Sequence, residues 1–285
     1  MNRFRFAIPR WLAGASFPKT VEEIQWLHDQ GFRTIISLET LRECDELMAK
    51  ISSLGIRHID MHIPDGEEPL LGQTELFMQA VDQSIIEDRP VFCHCLAGCG
   101  RTGMMLMYYL LTRLDLTFDE AWDMVGGTVT LRDQTSFLYD YYQTLPRSKG
   151  PVKRSIDQSL LEEFKRLNLR GDEATIAWGA AMALHGLRDC HNDLDAIVTE
   201  ECFTRLSCEF PDNLGGKIRT GRLELCLGSA SYCVFPEDAI RRSIQIDGVS
   251  VVCLKDLLAI KKARNKPKDR RDIVLLKIRL AGGGS

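Results

Sequence analysis

Long apolar runs are absent from this sequence: no stretch reaches the ~18 consecutive apolar residues that a membrane-spanning helix needs. The first residues alternate charged and apolar side chains and lack the apolar core of a secretory signal peptide. The sequence also has no internal repeat and no low-complexity tract. These absences argue against a membrane partner and against a repeat architecture, and they predict a cytoplasmic protein.

A regular cysteine spacing is also missing. The 10 cysteines are scattered through 285 residues, without the spacing of a small disulfide-stabilised domain. In a chain of this length with no export signal, we expect reduced thiols.

Length and charge predict two domains, since 285 residues suit two modest domains better than one. Residues 1–150 carry 14 Lys and Arg against 21 Asp and Glu, whereas residues 151–285 carry 22 against 19. Pro, Ser, Gly and basic residues cluster between these halves. We therefore predict a first domain at 1–148, a linker at 149–154, a second domain at 155–280 and a flexible tail at 281–285. A polyanionic partner would favour the second domain.

Strand and helix patterns alternate in both halves, which predicts two α/β domains, each with a sheet covered by helices. In the first half we expect helices at 21–30, 42–53 and 74–86, strands at 33–38, 57–63 and 90–94, and a capping box beginning at Thr117. In the second half we expect helices at 156–167 (capped by Ser155), 180–185, 255–264 and 268–279, and strands at 194–198, 222–227 and 243–253.

The most informative segment is HCLAGCGRTG at residues 94–103, which follows the third expected strand. Cys95 and Arg101 bracket five residues that include two glycines. Glycine lets a tight loop turn its successive N–H groups inward to form an anion-binding nest, and a following helix adds the positive end of its dipole. A cysteine in such a loop is expected to be a thiolate at neutral pH, and an arginine fork can bind two phosphate oxygens.

This segment resembles the His-Cys-x5-Arg-Thr-Gly signature of protein tyrosine and dual-specificity phosphatases. The resemblance covers residues 1–145 and is closest to the small, compact dual-specificity enzymes. It implies that Cys95 attacks phosphorus and forms a phosphocysteine that water hydrolyses, without a cofactor. It also implies that the phosphate is held by the loop residues Leu96, Ala97, Gly98, Cys99, Gly100 and Arg101.

The resemblance assigns supporting roles as well. Thr102 would hydrogen-bond the sulfur, and His94 would brace the loop, although a core histidine bonded to a backbone carbonyl is also compatible. Asp65 lies 30 residues before Cys95 in a proline-bounded loop and would be the general acid, with a solvated loop carboxylate as the alternative. Gln134 would orient the hydrolytic water or serve a merely polar role. Cys93 or Cys99 could resolve an oxidised Cys95 or could simply fill space.

Substrate class is narrowed by two features of the loops. The loop lysines of phosphoinositide phosphatases are missing, because positions 96 and 99 are Leu and Cys, and this counts against a lipid substrate. RNA 5′-triphosphatases with this signature generally lack the acid that Asp65 would supply, so Asp65 counts against that activity. A phosphoprotein or a small phosphate ester stays open as substrate.

Paired acidic residues mark the second half. Asp193 and Asp195 are two residues apart on an expected strand, so their carboxylates should share a face, and Glu224 lies in another expected strand. Three carboxylates of this kind suit Mg²⁺ bound to nucleotide phosphates.

With Gly179-Ala180 before the pair and the basic segment 261–271 after it, residues 155–280 resemble minimal nucleotidyltransferases of the polymerase-beta superfamily. The resemblance implies metal ligands at Asp193, Asp195 and Glu224 and nucleoside triphosphate contacts at Gly179, Ala180, Lys261 and Lys268. The family usually has Gly-Ser or Gly-Gly where this chain has Gly179-Ala180, so one phosphate contact is missing. An active transferase and an inactive nucleotide-binding or scaffold domain both stay open. The basic segment is either a solvated face or a contact for nucleotide or RNA.

Three functional hypotheses follow, and the set Cys95, Arg101, Thr102 and Asp65 argues against the third, a non-enzymatic binding protein. The first is a cysteine-dependent protein tyrosine or dual-specificity phosphatase with a nucleotidyltransferase-like domain attached. The second is a nucleotide- or RNA-end-processing enzyme that combines a phosphatase step with a nucleotidyltransferase step.

Overall fold

A computed structural model describes residues 1–126, 132–145, 156–190, 192–210, 216–227 and 235–282, with the side chains of 132–134 left out. The chain divides into two compact units, Met1–Val152 and Lys153–Ser285. The predicted linker at 149–154 and the last three residues of the predicted tail lie outside the described residues.

The first unit alternates strands and helices. Its strands are β1 (Arg5–Ile8), β2 (Leu12–Ser16), β3 (Thr34–Ser37), β4 (Arg57–Asp60) and β5 (Val91–Cys95). Its helices are α1 (Val21–Asp29), α2 (Asp45–Ser53), α3 (Leu71–Ile86), α4 (Arg101–Arg113), α5 (Phe118–Met124) and α6 (Arg132–Thr144).

A mixed five-stranded sheet organises this unit, in the order β1-β2-β5-β3-β4. Strands β2, β5, β3 and β4 are parallel, and β1 joins β2 as an antiparallel edge. The three central strands are buried along their whole length, as expected for a parallel sheet covered on both faces. The carboxyl ends of β2, β3 and β5 therefore meet at one edge, where ligands bind in open α/β sheets.

Local sequence signals explain several boundaries. The Thr20 hydroxyl accepts a hydrogen bond from the Glu23 amide and caps α1, and Thr117 and Glu120 form the predicted capping box of α5. Helix α2 begins three residues later than predicted, because a turn closed by the Cys44 amide and the Leu41 carbonyl precedes it. The β1–β2 hairpin and α6 were not predicted.

The second unit is also α/β, with a six-stranded sheet in the order β10-β11-β6-β7-β9-β8. Its strands are β6 (Ala174–Ile176), β7 (Leu194–Val198), β8 (Lys217–Thr220), β9 (Leu223–Leu227), β10 (Ile244–Ile246) and β11 (Val249–Val251). Its helices are α7 (Gln158–Arg166), α8 (Trp178–Leu184), α9 (Glu200–Glu209), α10 (Pro236–Arg241), α11 (Leu254–Arg264) and α12 (Asp269–Ala281). Among the described helices of both units, none is both long and apolar enough to span a bilayer.

Three predictions for this unit were wrong in detail. Helix α7 is capped by the Asp157 side chain, whereas Ser155 lies outside the described residues. The strand expected at 243–253 is a hairpin, because Asp247 and Gly248 both take positive φ and turn the chain tightly. Strand β7 begins at Leu194, where pairing with β9 starts, so Asp193 precedes the strand and is exposed.

Candidate active site in the first unit

Cys95 is the last residue of β5 and lies at the carboxyl edge of the sheet. It pairs in register with Ser16 of β2 and is 2% exposed. Its sulfur lies 3.0 Å from the carbonyl oxygen of Cys99, across the loop that follows. The strand thus delivers the predicted nucleophile to the expected edge and buries it at the floor of the loop.

Two glycines shape the loop between Cys95 and α4. Gly98 has φ +77° and lies against β2, where an added Cβ would overlap the Ser16 amide and the Ala15 backbone. Gly100 has φ +53° and immediately precedes the first residue of α4. Only glycine meets both demands at position 98, a positive φ and direct backbone contact, so the loop is held closely against β2.

Arg101 begins α4 and is 2% exposed. Its Nη1 donates to the carbonyl oxygens of Ile63, at 2.6 Å, and Leu38, at 3.4 Å. Its Nη2 lies 3.0 Å from Glu39 Oε2 and 2.9 Å from Asp65 Oδ1. The guanidinium is therefore anchored to the ends of two neighbouring segments and is balanced by two carboxylates.

Asp65 reaches Arg101 from an exposed loop, and its side chain is 82% exposed. Sequence analysis selected Asp65 by its distance from Cys95, and the structure brings it to the same arginine that the cysteine loop presents. Glu67 belongs to the same loop, and its amide donates to the Pro64 carbonyl in a turn. The Asp65 carboxylate thus lies at the exposed surface in contact with a buried cation.

A line of three polar side chains lies behind the loop. Ser37 Oγ is 2.8 Å from His94 Nε2 and 2.8 Å from His58 Nε2. Burial lowers the pKa of His94 to about 3 and also lowers the pKa of His58. His94 is therefore neutral at physiological pH, and its hydrogen bond to Ser37 fixes the ring that precedes the nucleophile.

The remaining predicted loop residues take different positions. The Thr102 hydroxyl is buried and has no hydrogen-bond partner among the described residues, so the predicted bond to the Cys95 sulfur is not formed in this structure. Leu96 is 58% exposed at the loop surface, and its carbonyl accepts from the Phe17 amide. The Gln134 side chain lies outside the described residues.

The neighbouring cysteines differ in environment. Cys93 is completely buried, and burial raises the pKa of its thiol well above the ordinary value. Cys99 is half-buried, and its carbonyl faces the Cys95 sulfur. Cys93 is therefore a poor thiolate at neutral pH.

Sequence analysis missed three residues that contact the site. Glu39 pairs with Arg101, Ser37 is hydrogen-bonded to His94, and Arg5 donates to the Gly98 carbonyl oxygen. Glu39 and Ser37 lie at the carboxyl end of β3, beside β5. A polar residue that directly follows a buried strand was the available signal, because neighbouring parallel strands end at one edge. Arg5 gave no such signal, since it lies on an edge strand far from the motif in sequence.

The comparisons support a cysteine-based dual-specificity or tyrosine phosphatase domain in the first half of the chain, where the loop that follows Cys95 lies at the carboxyl edge of an α/β sheet. A family profile described as "Polymorphic toxin system, DSP-PTPase phosphatase" matches residues 13–114, which include the loop, Arg101 and Asp65.

Two curated relatives are tyrosine-protein phosphatases by name. The chain is 37% identical over 70 residues to "Tyrosine-protein phosphatase cdcA" of Emericella nidulans, which covers 24% of this chain and 12% of that protein. It is 35% identical over 68 residues to "Tyrosine-protein phosphatase CDC14 homolog" of Schizosaccharomyces pombe, again 24% and 12% of the two lengths. The chain thus spans a small part of these relatives. The crystal structure of Tk-PTP in the active form aligns with a TM-score of 0.45 at 20% identity, covering 50% of this chain and 98% of that one.

The second unit places its predicted metal ligands on neighbouring segments. Asp195 of β7 pairs in register with Glu224 of β9. Burial, with Asp193 and Glu224 nearby, raises the pKa of Asp195 to about 6. Glu224 is bound instead by two cations, Lys217 and Arg219, the latter at 2.9 Å. Within the described ranges, no cluster of three metal-ligating side chains exists, and the Mg²⁺ site stays a prediction.

The predicted nucleotide contacts are also placed differently from expectation. Lys261 is 1% exposed, and its Nζ lies 3.3 Å from Asp269 Oδ1 and 2.6 Å from Asp272 Oδ2. Lys261 is thus held in a buried charge cluster and not on a nucleotide-binding surface. Five other basic side chains of the segment are exposed: Lys262, Lys266, Lys268, Arg270 and Arg271.

The expected phosphate contact at the start of α8 is covered by an arginine. Gly179 and Ala180 lie in the first turn of that helix. A Cβ added to Gly179 would lie 2.8 Å from Arg188 Nη2, so the guanidinium covers this glycine. The assignment of this unit as nucleotidyltransferase-like stays a prediction.

Proposed function

We propose that the first domain hydrolyses phosphomonoesters through a phosphocysteine intermediate. The observation that carries the proposal is the position of Arg101. Its buried guanidinium directly follows the Cys95 loop and lies 2.9 Å from Asp65 Oδ1, so the proposed phosphate-binding cation and the proposed acid are in contact. Cys95 and Arg101 lie at the two ends of one loop, and Asp65 comes from a separate loop after β4.

The chemistry follows from these positions. The Cys95 thiolate attacks phosphorus, an S–P bond forms and the P–O ester bond breaks, while Asp65 gives its proton to the leaving oxygen. Water then attacks the phosphocysteine, the S–P bond breaks and inorganic phosphate leaves, with Asp65 taking the proton of the water. Backbone N–H groups of the glycine loop and the Arg101 fork stabilise the charge on the transferring phosphoryl group.

Substrate binding must rearrange the Arg101 ion pairs. A dianionic phosphate competes with Asp65 and Glu39 for the same Nη2. Glu39 is 23% exposed and Asp65 is 82% exposed, so the freely accessible Asp65 is the partner that phosphate displaces. The released Asp65 takes up a proton from solvent and, as a carboxylic acid, gives it to the leaving oxygen.

We propose a phosphoprotein or a small phosphate ester as substrate. Leu96 and Cys99 occupy the loop positions where inositol-lipid phosphatases have lysines, which argues against a lipid substrate. Curated relatives are tyrosine-protein phosphatases by name, which favours a phosphoprotein. A cytoplasmic site of action belongs to the same proposal.

The decisive test replaces the nucleophile. Cys95→Ser should reduce turnover of p-nitrophenyl phosphate to background, and chelators should leave wild-type turnover unchanged because no metal takes part. Cys208→Ser, which removes an exposed thiol of the second unit, is the matched control and should keep full activity. Substantial turnover by purified Cys95→Ser protein would refute the mechanism.

The general acid is tested through the leaving group. Asp65→Asn should slow an alkyl phosphate by about 10²–10⁴-fold and p-nitrophenyl phosphate far less, because nitrophenolate leaves without a proton. Glu67→Gln serves as the control within the same loop. Equal losses on both substrates would assign the acid elsewhere, and a loss in Glu67→Gln would identify the replacement.

Nucleotide- or RNA-end processing is the second hypothesis, and its support is the sequence resemblance of residues 155–280 together with the exposed basic side chains of 262–271. Since the described carboxylates do not form a three-ligand metal site, we derive no transferase step. Calorimetry of the full chain with ATP, GTP, CTP and UTP, each with and without Mg²⁺, tests it. Metal-dependent binding below millimolar concentration would support the hypothesis, and its absence would leave the unit a scaffold.

A further inference from the structure

Arg5 reaches the nucleophile loop from the edge of the sheet. It lies in β1, opposite Gly14 of β2. Its Nη1 donates to the Gly98 carbonyl oxygen at 3.0 Å and to the Arg3 carbonyl oxygen at 3.0 Å. The arginine thus holds the one loop residue whose positive φ and close backbone contact make it irreplaceable by a larger residue.

The rest of this guanidinium is buried without partners. Arg5 Nε and Nη2 are inaccessible to solvent and make no hydrogen bond with any described residue. Burial lowers the pKa of Arg5, while the nearby Cys93, Cys95 and Cys99 thiols act in the opposite direction. A buried donor without an acceptor costs free energy. An acceptor that becomes available only when the loop ionises or binds a ligand would remove that cost.

The charges around the loop make Arg5 different from Arg101. The Arg101 guanidinium is balanced by Glu39 and Asp65 before substrate arrives. No carboxylate in the described part of the chain pairs with Arg5. Because arginine stays protonated in proteins, Arg5 contributes a positive charge to the loop that no neighbouring anion cancels.

We propose that Arg5 is a positioning residue for Cys95: it fixes the Gly98 carbonyl, so that the loop N–H groups point inward, and its unbalanced charge favours the thiolate. The proposal rests on the proposed role of Cys95 as nucleophile. Arg5 acts through the loop and does not touch the phosphate.

The test measures the ionisation of Cys95 directly. Cys95 is alkylated with iodoacetamide over a range of pH, and its modification is followed by tandem mass spectrometry, which separates it from Cys93 and Cys99. Arg5→Gln keeps an amide donor for Gly98 and removes the charge, and it should raise the midpoint of the pH–rate profile by about one unit or more. Arg5→Lys should keep the midpoint close to that of the wild type.

Arg10→Met is the matched control, because it removes one exposed positive charge from the same hairpin. It should leave the midpoint unchanged. If Arg5→Gln does not fold, Arg5→Met takes its place as the neutral variant, the same rise in midpoint is expected, and an unchanged midpoint would overturn the proposal. A midpoint in folded Arg5→Gln equal to that of the wild type would overturn the proposal.

Alkylation also separates this proposal from the proposed function. A protein that shows the expected shift in midpoint but turns over no phosphate ester would support Arg5 and refute the phosphatase mechanism. A protein with phosphatase turnover but no shift of the midpoint in Arg5→Gln would support the phosphatase mechanism and refute the role of Arg5.

Discussion

At the scale of single residues, the site is defined by how its charges are held before substrate binds. Arg101 is buried and shares its Nη2 between Glu39 and Asp65. Buried charges persist in proteins when they are paired and hydrogen-bonded. The proposed phosphate site is thus an ion-pair cluster, in which a bound phosphate would replace one anion by another.

His94 makes the stability of the first unit depend on pH. The folded protein holds the pKa of His94 at about 3, against an ordinary value of 6.5, because the ring is buried. Between these values the unfolded chain binds more protons, so stability is present above pH 6.5 and falls as the pH decreases toward 3. From pH 7.5 to 5, His94 should account for about 2 kcal/mol of lost stability.

Urea denaturation of the full chain at the two pH values, followed by tryptophan fluorescence, measures this loss, since three of the 4 tryptophans lie in the first unit. His94→Asn should lose less stability on acidification than the wild type. His28→Asn, at the end of α1, should behave like the wild type. Identical pH dependence in His94→Asn and the wild type would contradict the assignment.

At the scale of elements, the loop depends on its contact with β2. Gly98 and Gly66 both have φ +77°, but only Gly98 is surrounded by backbone, whereas an added Cβ at Gly66 meets nothing within 4 Å. Gly66→Ala should therefore cost about 1–2 kcal/mol from backbone strain alone. Gly98→Ala should cost about 1–3 kcal/mol more, because the loop must move away from β2.

Thermal denaturation of both variants separates these two costs. Equal destabilisation by Gly98→Ala and Gly66→Ala would show that the contact with β2 contributes nothing.

Most elements of the fold could be predicted from the sequence, for physical reasons that also explain the failures. The buried central strands β3 and β5 and the capped helices α1 and α5 carry their signals locally. The 243–253 hairpin was misread although its turn, Asp247-Gly248, carries a strong local signal for a two-residue hairpin loop. The Cys95–Arg101 loop was predictable because seven consecutive residues specify it.

Long-range contacts could not be predicted in the same way. Asp65 was selected only through the family resemblance, and Glu39 and Arg5 reach the site from residues whose own neighbourhood in sequence is unremarkable. Asp193 was wrongly assigned to a strand, since alternation alone does not fix where pairing with β9 begins.

At the scale of the whole molecule, the two units differ in what their acidic residues do. In the first unit, Glu39 and Asp65 neutralise the buried Arg101. In the second, Asp195 is half-buried beside Asp193 and Glu224, and these neighbours with burial raise its pKa to about 6. If no cation binds there, Asp195→Asn should stabilise the second unit by about 1–2 kcal/mol at neutral pH, after allowance for partial exposure.

Differential scanning calorimetry of the full chain, with and without Mg²⁺, checks this expectation. Asp172→Asn, at an exposed position of the same unit, is the control and should change stability by less than about 0.5 kcal/mol. A wild-type transition that rises with Mg²⁺, together with a destabilised Asp195→Asn variant, would instead establish a divalent-cation site.

The buried charge cluster between α11 and α12 has an evolutionary consequence. Lys261 neutralises Asp269 and Asp272 in the interior, and Arg264 also binds Asp269. Loss of one member breaks a buried ion pair, which costs up to about 3–5 kcal/mol, whereas replacing the whole cluster by apolar residues can be neutral. Single substitutions at these positions are therefore expected to be selected against. In descendants of this chain, the lysine and its two aspartates should be inherited together or replaced together.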